Sequence, residues 1–139
     1  MSSRPFVGIA VIVHKDGKVL LGQRKNAHGS GTWAFPGGHL EYQETIEACA
    51  RREVFEETNL AVKNIKHIAY TNDIFLLEQK HYVTLFVSAQ YDSGDLEIRE
   101  PDKCEKWDWF HWYKLAEPMF LPLKNFLKQW HHPDQIFTP

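Results

Sequence analysis

The sequence predicts a single α/β domain, residues 1–139, in which a mixed β-sheet carries helices on both faces. Strand-like runs come first, then a helical segment, then further strand-like runs and a second helical segment. This order of elements is typical of a sheet covered on both sides. The chain has 139 residues, of which 43% are hydrophobic, so it is long enough to bury a sizeable core.

The predicted strands are runs rich in β-branched and aromatic residues that turn signals interrupt. Asp16-Gly17 is the strongest turn signal and joins the first two strands into a hairpin. A bend or bulge is predicted at Asn72-Asp73. In chain order, the strands are predicted at residues 6–13, 19–24, 32–35, 61–70, 71–77, 81–90 and 105–112.

The sequence predicts two helices, each of which follows a segment that contains Pro. The central helix covers residues 45–58, which lack Gly and Pro and are rich in Ala, Glu and Arg. A second helix is predicted at 122–131, with Pro122 in its first turn. The remaining segments are predicted as loops at 25–31 and 91–103, a turn at 78–80, a single helical turn at 114–117 and a tail at 132–139.

The central helix carries a cluster of three carboxylates. At about 100° per residue, Glu53 and Glu57 lie one above the other with Glu56 beside them. A solvated acidic face is the ordinary explanation for such a cluster. Here the same arc leads back to Ile46 and Ala50, which are residues suited to burial. The carboxylates therefore continue the core-facing stripe and need a partner, and a divalent cation accepts several oxygens at once.

The glycines before this helix and the charges on it form one spaced pattern. Gly38 is followed after five residues by Glu44 and after seven more by the stretch REVFEETNL, which ends at Leu60. This pattern resembles the Nudix box, with Asn59 where the family has Gly. The change is mild, because Asn is the next best residue after Gly for a left-handed position behind a helix. The resemblance implies a Nudix fold, which is an α/β/α sandwich with a mixed sheet, and hydrolysis of a diphosphate bond in a nucleoside diphosphate-X substrate.

The resemblance also implies a metal cofactor, Mg²⁺ or Mn²⁺, and its ligands. It gives Glu53 and Glu57 as direct ligands, with Glu56 close behind and the Gly37 carbonyl as a further oxygen. Such a metal would neutralise the polyphosphate, polarise phosphorus and lower the pKa of a bound water. The same carboxylates could hold one ion or several.

Three further charged residues receive supporting or catalytic roles. In the family, the Arg at position 52 orients a catalytic Glu by an ion pair, so Arg52 is predicted to act in that way. Glu44 is predicted to brace the glycine loop or the helix N-terminus. A carboxylate of the cluster or of a loop would accept the proton of the attacking water. Glu105 is the candidate on the loop, with an ordinary exposed residue as the alternative.

The substrate is expected to meet cations at one end and apolar walls at the other. Arg24 and His39 are the candidates for phosphate binding, with Lys25 and His28 as weaker ones, and an unconnected surface Arg is the alternative for Arg24. The other predicted substrate-binding residues are Ala34, Phe35, Gly38, Thr84, Phe120, Leu121, Pro122 and Leu123. For Phe35, Phe120 and Leu123, a purely structural place in the core is the alternative. Trp107 and Trp109 share a strand face and are assigned to the core or a dimer interface.

Stretches outside the box resemble the MutT-type nucleoside-triphosphate diphosphatases of the Nudix family. They include LLGQRK, HYVTLF, EPDKCEKWDWF and PLKNFLKQW. The resemblance implies conversion of (deoxy)nucleoside triphosphates, above all oxidised or modified ones such as 8-oxo-dGTP, to monophosphate and pyrophosphate by a homodimer. The alternatives are another diphosphate, such as a CTP-like nucleotide or a prenyl diphosphate, and a nucleotide-binding regulator that has lost turnover. The intact carboxylate set argues against the regulator.

Composition excludes several other classes of function. The net charge of −2 gives no bulk attraction to a nucleic-acid polymer, so a small nucleotide is the expected partner. No segment is apolar enough for a signal peptide or a membrane span. Cys49 and Cys104 do not form a disulfide framework, and Cys49 is predicted to be a buried small residue. These features favour a cytoplasmic protein.

Overall fold

The computed structural model describes residues 4–26, 28–130 and 133–138. The predicted helix end at His131, and the parts of the predicted tail at His132 and Pro139, lie outside the described residues. In chain order the elements are β1 Phe6–Lys15, β2 Lys18–Arg24, β3 Trp33–Ala34, β4 Gly37–His39, α1 Ile46–Thr58, β5 Ala61–Phe75, β6 Lys80–Ser93, β7 Cys104–His111, α2 Leu121–Gln129 and α3 Asp134–Phe137.

The described strands form one mixed sheet. Its main path runs β3-β2-β1-β6-β5, while β4 pairs with β1 and β7 pairs with β2. The pairing of β1 with β6 is parallel, and the other pairings are antiparallel. The predicted mixed α/β sheet is therefore confirmed.

Two hydrophobic clusters lie on opposite faces of this sheet. Along β1, Val11 and Val13 belong to the cluster beneath α1, whereas Ile12 belongs to the cluster beneath α2 and α3. This alternation follows from the two-residue period of a strand. The α1 side buries Ala50 and Val54 completely, and the α2–α3 side buries Phe126 completely. Helices thus cover both faces, as the sequence predicts.

The central helix begins and ends as predicted. The Thr45 side chain caps its N-terminus by accepting a hydrogen bond from the Ala48 N–H at 3.1 Å. Asn59 follows its C-terminus with φ of 68°, in the left-handed region expected from the spaced pattern. Cys49 is buried on this helix, and both Cys49 and Cys104 are free thiols.

Three predictions about the second half are wrong. Residues 61–75 form one long strand whose register shifts lie near 61–62, 63–66 and 67–69 and not at Asn72-Asp73, because the buried Asp73 is hydrogen-bonded within the sheet. Residues 114–117 form no helical turn, since the backbone of a residue before proline, here Glu117, is disfavoured from helical angles. Part of the predicted tail forms α3, because Ile136 packs fully buried in the second cluster.

Among the described residues, no helix has the length and apolar character needed to cross a membrane.

Candidate active site

A cleft of about 850 Å³ opens beside the N-terminal ends of β1 and β6. The carboxylates of α1 and the glycines of β4 form one end, and side chains of β5, β6 and the start of α2 form the other. The predicted site residues that line it are Arg24, Ala34, Phe35, Gly37, Gly38, His39, Arg52, Glu53, Glu56, Glu57, Thr84, Phe120, Pro122 and Leu123. The structure therefore brings together nearly all of the residues singled out from the sequence.

The glycine pair allows the backbone of β4 to lie directly against the α1 carboxylates. The Gly37 N–H donates a hydrogen bond to Glu57 Oε1 at 3.0 Å. A Cβ atom on Gly38 would collide with the Glu53 carboxylate, and one on Gly37 would collide with the backbone oxygen of Ile9. Only glycine at both positions permits this packing.

The partly buried carboxylates of Glu53 and Glu57 create an electrostatic demand for a cation. Burial raises the pKa of Glu57 to about 8, against the opposing effect of the Gly37 hydrogen bond, and the negative charges of Glu53 and Glu100 act in the same direction as burial. Burial also raises the pKa of Glu53, while its hydrogen bond with Arg52 lowers it. A bound cation would offset the unfavourable burial of both carboxylates.

Arg52 connects this cluster to the segment before the helix. Its Nε and Nη2 atoms donate to the two oxygens of Glu44 at 2.7 and 3.0 Å. Its Nη1 atom donates to Glu53 at 2.8 Å and to Glu56 at 3.3 Å. Glu44 in turn accepts a hydrogen bond from the Glu41 N–H at 3.1 Å. These contacts fit the predicted roles of Arg52 in orienting a carboxylate and of Glu44 in bracing the helix entry.

The donor set suits a metal that shares its coordination with substrate. Among the described residues, no three Asp, Glu, His or Cys side chains converge into a preformed metal site. Mg²⁺ commonly takes only one or two carboxylates and completes its shell with water and phosphate oxygens. Glu53 and Glu57, with Glu56 at the rim, fit that manner of binding.

Cationic and aromatic groups surround the middle of the cleft. Arg24 donates through Nε to the His28 carbonyl at 2.9 Å, and its guanidinium lies 4.1 Å from the centre of the Phe120 ring. Burial lowers the pKa of Arg24, and the charge of Glu57 opposes that shift. His39 lies within 3.2 Å of the Tyr82 hydroxyl through Nε2. Arg24 and His39 are thus placed on the cleft wall, whereas the Lys25 ammonium lies outside it.

Two predicted site residues do not line the cleft. Leu121 lies on the first turn of α2, while its neighbours Phe120, Pro122 and Leu123 form the wall. Glu105 is turned outward, where its 56% exposed side chain pairs with Lys25 at 3.5 Å.

The misplacement of Glu105 has a structural cause. In the pairing of β2 with β7, Gln23 lies opposite Lys106 and Arg24 opposite Cys104, so Glu105 is the extra residue of a bulge. The bulge places Cys104 on the cleft wall instead. Glu100, in the preceding loop, lines the cleft and acts on the pKa values of Glu53 and Glu57. A loop carboxylate therefore lines the cleft at position 100, whereas Glu105 does not.

Several aromatic residues of the cleft wall are not among the predicted site residues. Tyr82 and Phe86 line the cleft on either side of Thr84, and the two-residue strand period would have placed them on one face. Phe75 packs against the rings of Tyr82 and Phe120 at 6.0 and 5.5 Å between centroids. Trp107, assigned to the core or a dimer interface, packs against the core beneath α1 and lines the cleft as well.

Comparison with proteins of known sequence identifies relatives of this chain. Residues 3–132 match the family model of the NUDIX domain. The NAD-capped RNA hydrolase NudC of Edwardsiella ictaluri is 32% identical over 109 residues, covering 78% of this chain and 40% of that protein. NudC of Vibrio parahaemolyticus is 38% identical over 114 residues, covering 82% of this chain and 40% of that protein. The chain thus spans about two fifths of the length of these relatives.

Comparison with solved structures agrees with the sequence match. A MutT NUDIX hydrolase from Burkholderia pseudomallei has a TM-score of 0.85 and 30% identity, covering 91% of this chain and 98% of that one. A MutT protein from Methanosarcina mazei, at 21% identity and a TM-score of 0.74, shares the fold. The chain belongs to the Nudix hydrolase family, whose members act on diphosphate bonds.

Proposed function

We propose that this protein is a metal-dependent pyrophosphohydrolase that converts (deoxy)nucleoside triphosphates, above all oxidised purines such as 8-oxo-dGTP, to monophosphate and pyrophosphate. The observation that carries the proposal is the division of one cleft into two ends. Partly buried carboxylates lie at one end, and aromatic and aliphatic side chains surround the Thr84 hydroxyl at the other. A nucleotide has the matching division into polyphosphate and base.

The side chains of the cleft would divide the work of the reaction. Glu57 and Glu53 would hold Mg²⁺ or Mn²⁺, which would neutralise the polyphosphate and lower the pKa of a water molecule. Arg24 would bind phosphate oxygens with its planar guanidinium, and Arg52 would keep Glu53 in place. Glu100 is the loop carboxylate proposed to accept the proton of the attacking water.

A dinucleotide with a diphosphate bridge is a second candidate substrate. It is favoured by the similarity to the NAD-capped RNA hydrolases, which extends over 78% of this chain. A cleft of about 850 Å³ lies within the range of small-molecule sites. The net charge of −2 supports the small molecule over an RNA chain as substrate.

The proposal includes a cytoplasmic homodimer. Tyr70 and Ile74 are exposed on β5, which is an edge strand of the main sheet path, and Leu76 and Leu77 follow at its end. An edge strand with exposed apolar side chains is suited to pairing with another copy. Light scattering of the purified protein would give its mass in solution. A mass equal to that of one chain would contradict the dimer.

A panel of substrates tests the reaction and its specificity together. We expect Mg²⁺-dependent release of pyrophosphate from nucleoside triphosphates and 8-oxo-dGTP, with kcat/KM values that differ by more than tenfold, or about 1.4 kcal/mol, among them. NAD would give AMP and nicotinamide mononucleotide, so its cleavage is followed by the release of AMP. A flat profile would show that the base is not read. Faster cleavage of NAD would favour the second candidate.

The matched variants Glu57→Gln and Glu47→Gln test the metal-binding carboxylate. Glu57→Gln should remove most of the Mg²⁺-dependent turnover while the protein stays folded. Glu47 is exposed on the first turn of the same helix, so Glu47→Gln should keep the wild-type rate. Near-normal activity of Glu57→Gln would overturn the assignment.

A further inference from the structure

A fully buried carboxylate, Asp73, lies behind the end of the cleft that β5, β6 and the start of α2 form. This end, proposed to hold the base, is called the base end. Asp73 Oδ2 accepts hydrogen bonds from Thr71 Oγ1 at 2.8 Å and from Thr84 Oγ1 at 2.6 Å. Asp73 Oδ1 accepts a hydrogen bond from Asn125 Nδ2 at 2.8 Å. Asp73 has 0% exposure, so these three donors take the place of water around its oxygens. The carboxylate joins β5, β6 and α2 behind the wall.

The strand register explains why both threonines reach one oxygen. Thr71 and Thr84 are direct partners across β5 and β6, and Asp73 is two residues farther along β5 on the same face. All three residues are buried. The network is therefore fixed by the backbone pairing and not by mobile side chains.

Thr84 belongs to this network and to the cleft wall at once. It lies between Tyr82 and Phe86 on one face of β6, and all three residues line the cleft. Its Oγ1 atom also lies beside the bare backbone of Gly8, which has no side chain to cover it. A ligand base at this end would find the Thr84 hydroxyl among aromatic and aliphatic groups.

The donor and acceptor capacities of Asp73 and Thr84 determine the direction of the Thr84 hydroxyl proton. A carboxylate oxygen can only accept, and a hydroxyl has one proton and two lone pairs. The Thr84 proton therefore points to Asp73, away from the cleft. What Thr84 can offer a ligand is an acceptor oxygen.

We propose that Asp73 is a positioning residue for specificity: by holding the Thr84 proton, it makes the base end of the cleft select bases that present an N–H donor. This inference rests on the proposed nucleotide substrate. A base with a carbonyl or bare ring nitrogen at that place would meet an acceptor with no proton between them. Buried sites of this kind discriminate strongly, because the wrong ligand leaves a polar group unpaired.

Binding of nucleoside monophosphates to the full chain tests the inference without turnover. Calorimetry would compare three matched pairs: GMP with IMP, AMP with purine riboside monophosphate, and 8-oxo-dGMP with dGMP. In each pair, the first nucleotide has an N–H group that the second lacks. We expect the wild type to prefer the first nucleotide by more than tenfold in at least one pair.

The variant Asp73→Asn replaces a side chain that only accepts hydrogen bonds by one that can also donate, with almost no change in size. The Asn amide can donate to Thr84, which frees the Thr84 proton for the ligand, so the preference in that pair should fall at least fivefold. Thr71→Val is the matched control, since Thr71 bonds the same oxygen but does not line the cleft. It should change the preference by less than twofold.

The possible results separate this inference from the proposed function. Ratios near one in every wild-type pair, or a folded Asp73→Asn protein with the wild-type ratio, would overturn the role of Asp73 while nucleotide binding stands. No binding of any monophosphate would overturn the nucleotide substrate itself.

If Asp73→Asn does not fold, Thr84→Ser should keep the donor preference and Thr84→Val should lose it. The opposite pattern, with Thr84→Val keeping that preference, would overturn the inference.

Discussion

Arg52 holds Glu44 by two parallel hydrogen bonds, from Nε at 2.7 Å and from Nη2 at 3.0 Å, and this pair leaves Nη1 free to hold Glu53. Only a planar guanidinium can make both contacts in these directions. The helix entry and the carboxylate cluster are thereby fixed to each other through a single side chain.

Replacing Arg52 by Lys should impair catalysis more than folding. The ammonium keeps the charge but cannot bind Glu44 and Glu53 with the same geometry, so we expect kcat to fall about 10- to 100-fold, with a smaller change in KM. Arg51→Lys is the control, because Arg51 is adjacent on the helix and donates to the Val62 carbonyl of β5. Steady-state kinetics of both variants make the comparison, and equal losses would contradict a specific role of Arg52.

The ion pair with Glu44 should make stability depend on pH in the acid range. The Arg52 hydrogen bond lowers the pKa of Glu44 from its ordinary value of 4.5 to about 2. A carboxyl with a depressed pKa in the folded state adds stability that is complete above the unfolded value and is lost as the pH falls toward the folded value. The stability of the wild type relative to Glu44→Gln should therefore be constant above about pH 5 and shrink between pH 4.5 and 2. Urea unfolding over this range measures the difference, and a constant gap would contradict the pair's contribution.

The two glycines should respond differently to the same added methyl group. In Gly37→Ala the new Cβ meets the Ile9 backbone oxygen, which cannot move aside, so we expect loss of folding or a large fall in melting temperature. In Gly38→Ala it meets the Glu53 carboxylate, a flexible side chain that can shift. Gly38→Ala should fold and lose activity. Thermal melts and assays distinguish the two, and a fully active Gly38→Ala would refute the close packing.

Asn59 should stabilise the folded protein more than glycine would at the same position. Its Nδ2 donates to the Asp95 carbonyl and to Glu97, each at 3.1 Å, and its Oδ1 accepts from Arg99 at 2.8 Å. Asn59→Gly should lose these contacts but keep the left-handed backbone, whereas Asn59→Ala should also pay about 1 kcal/mol for its Cβ. Denaturant unfolding should rank wild type above Asn59→Gly and Asn59→Ala last. Equal stability of the two variants would show that the backbone conformation costs nothing.

The sequence predicts the position of the carboxylates at one end of the cleft well, because helical spacing and local backbone preferences determine it. The carboxylates of Glu53, Glu56 and Glu57 follow from helical spacing on one uninterrupted element, and the cap at Asn59 follows from backbone preference. The glycines precede that helix directly, so a short segment fixes the whole arrangement.

The other end depends on contacts between distant segments, and there the predictions are incomplete. A one-residue bulge at Glu105 turns that side chain outward, and periodicity gives no warning of it. The sequence predicts a bend or bulge at Asn72-Asp73, whereas hydrogen-bond partners from β6 and α2 make Asp73 compatible with a continuous strand. Burial of Ile136 converts a predicted tail into α3 for the same reason: tertiary packing decides the local structure.

The contacts of Asn59 also bear on how this chain can diverge. Its side chain anchors residues 95–99, and the Arg99 N–H donates to the Glu57 carbonyl, so the loop that carries Glu100 is fastened to the end of α1. Reversion to the family's glycine would be neutral only in a background whose loop has acquired another anchor. Position 59 and the length of this loop are therefore expected to coevolve, with each change conditional on the other.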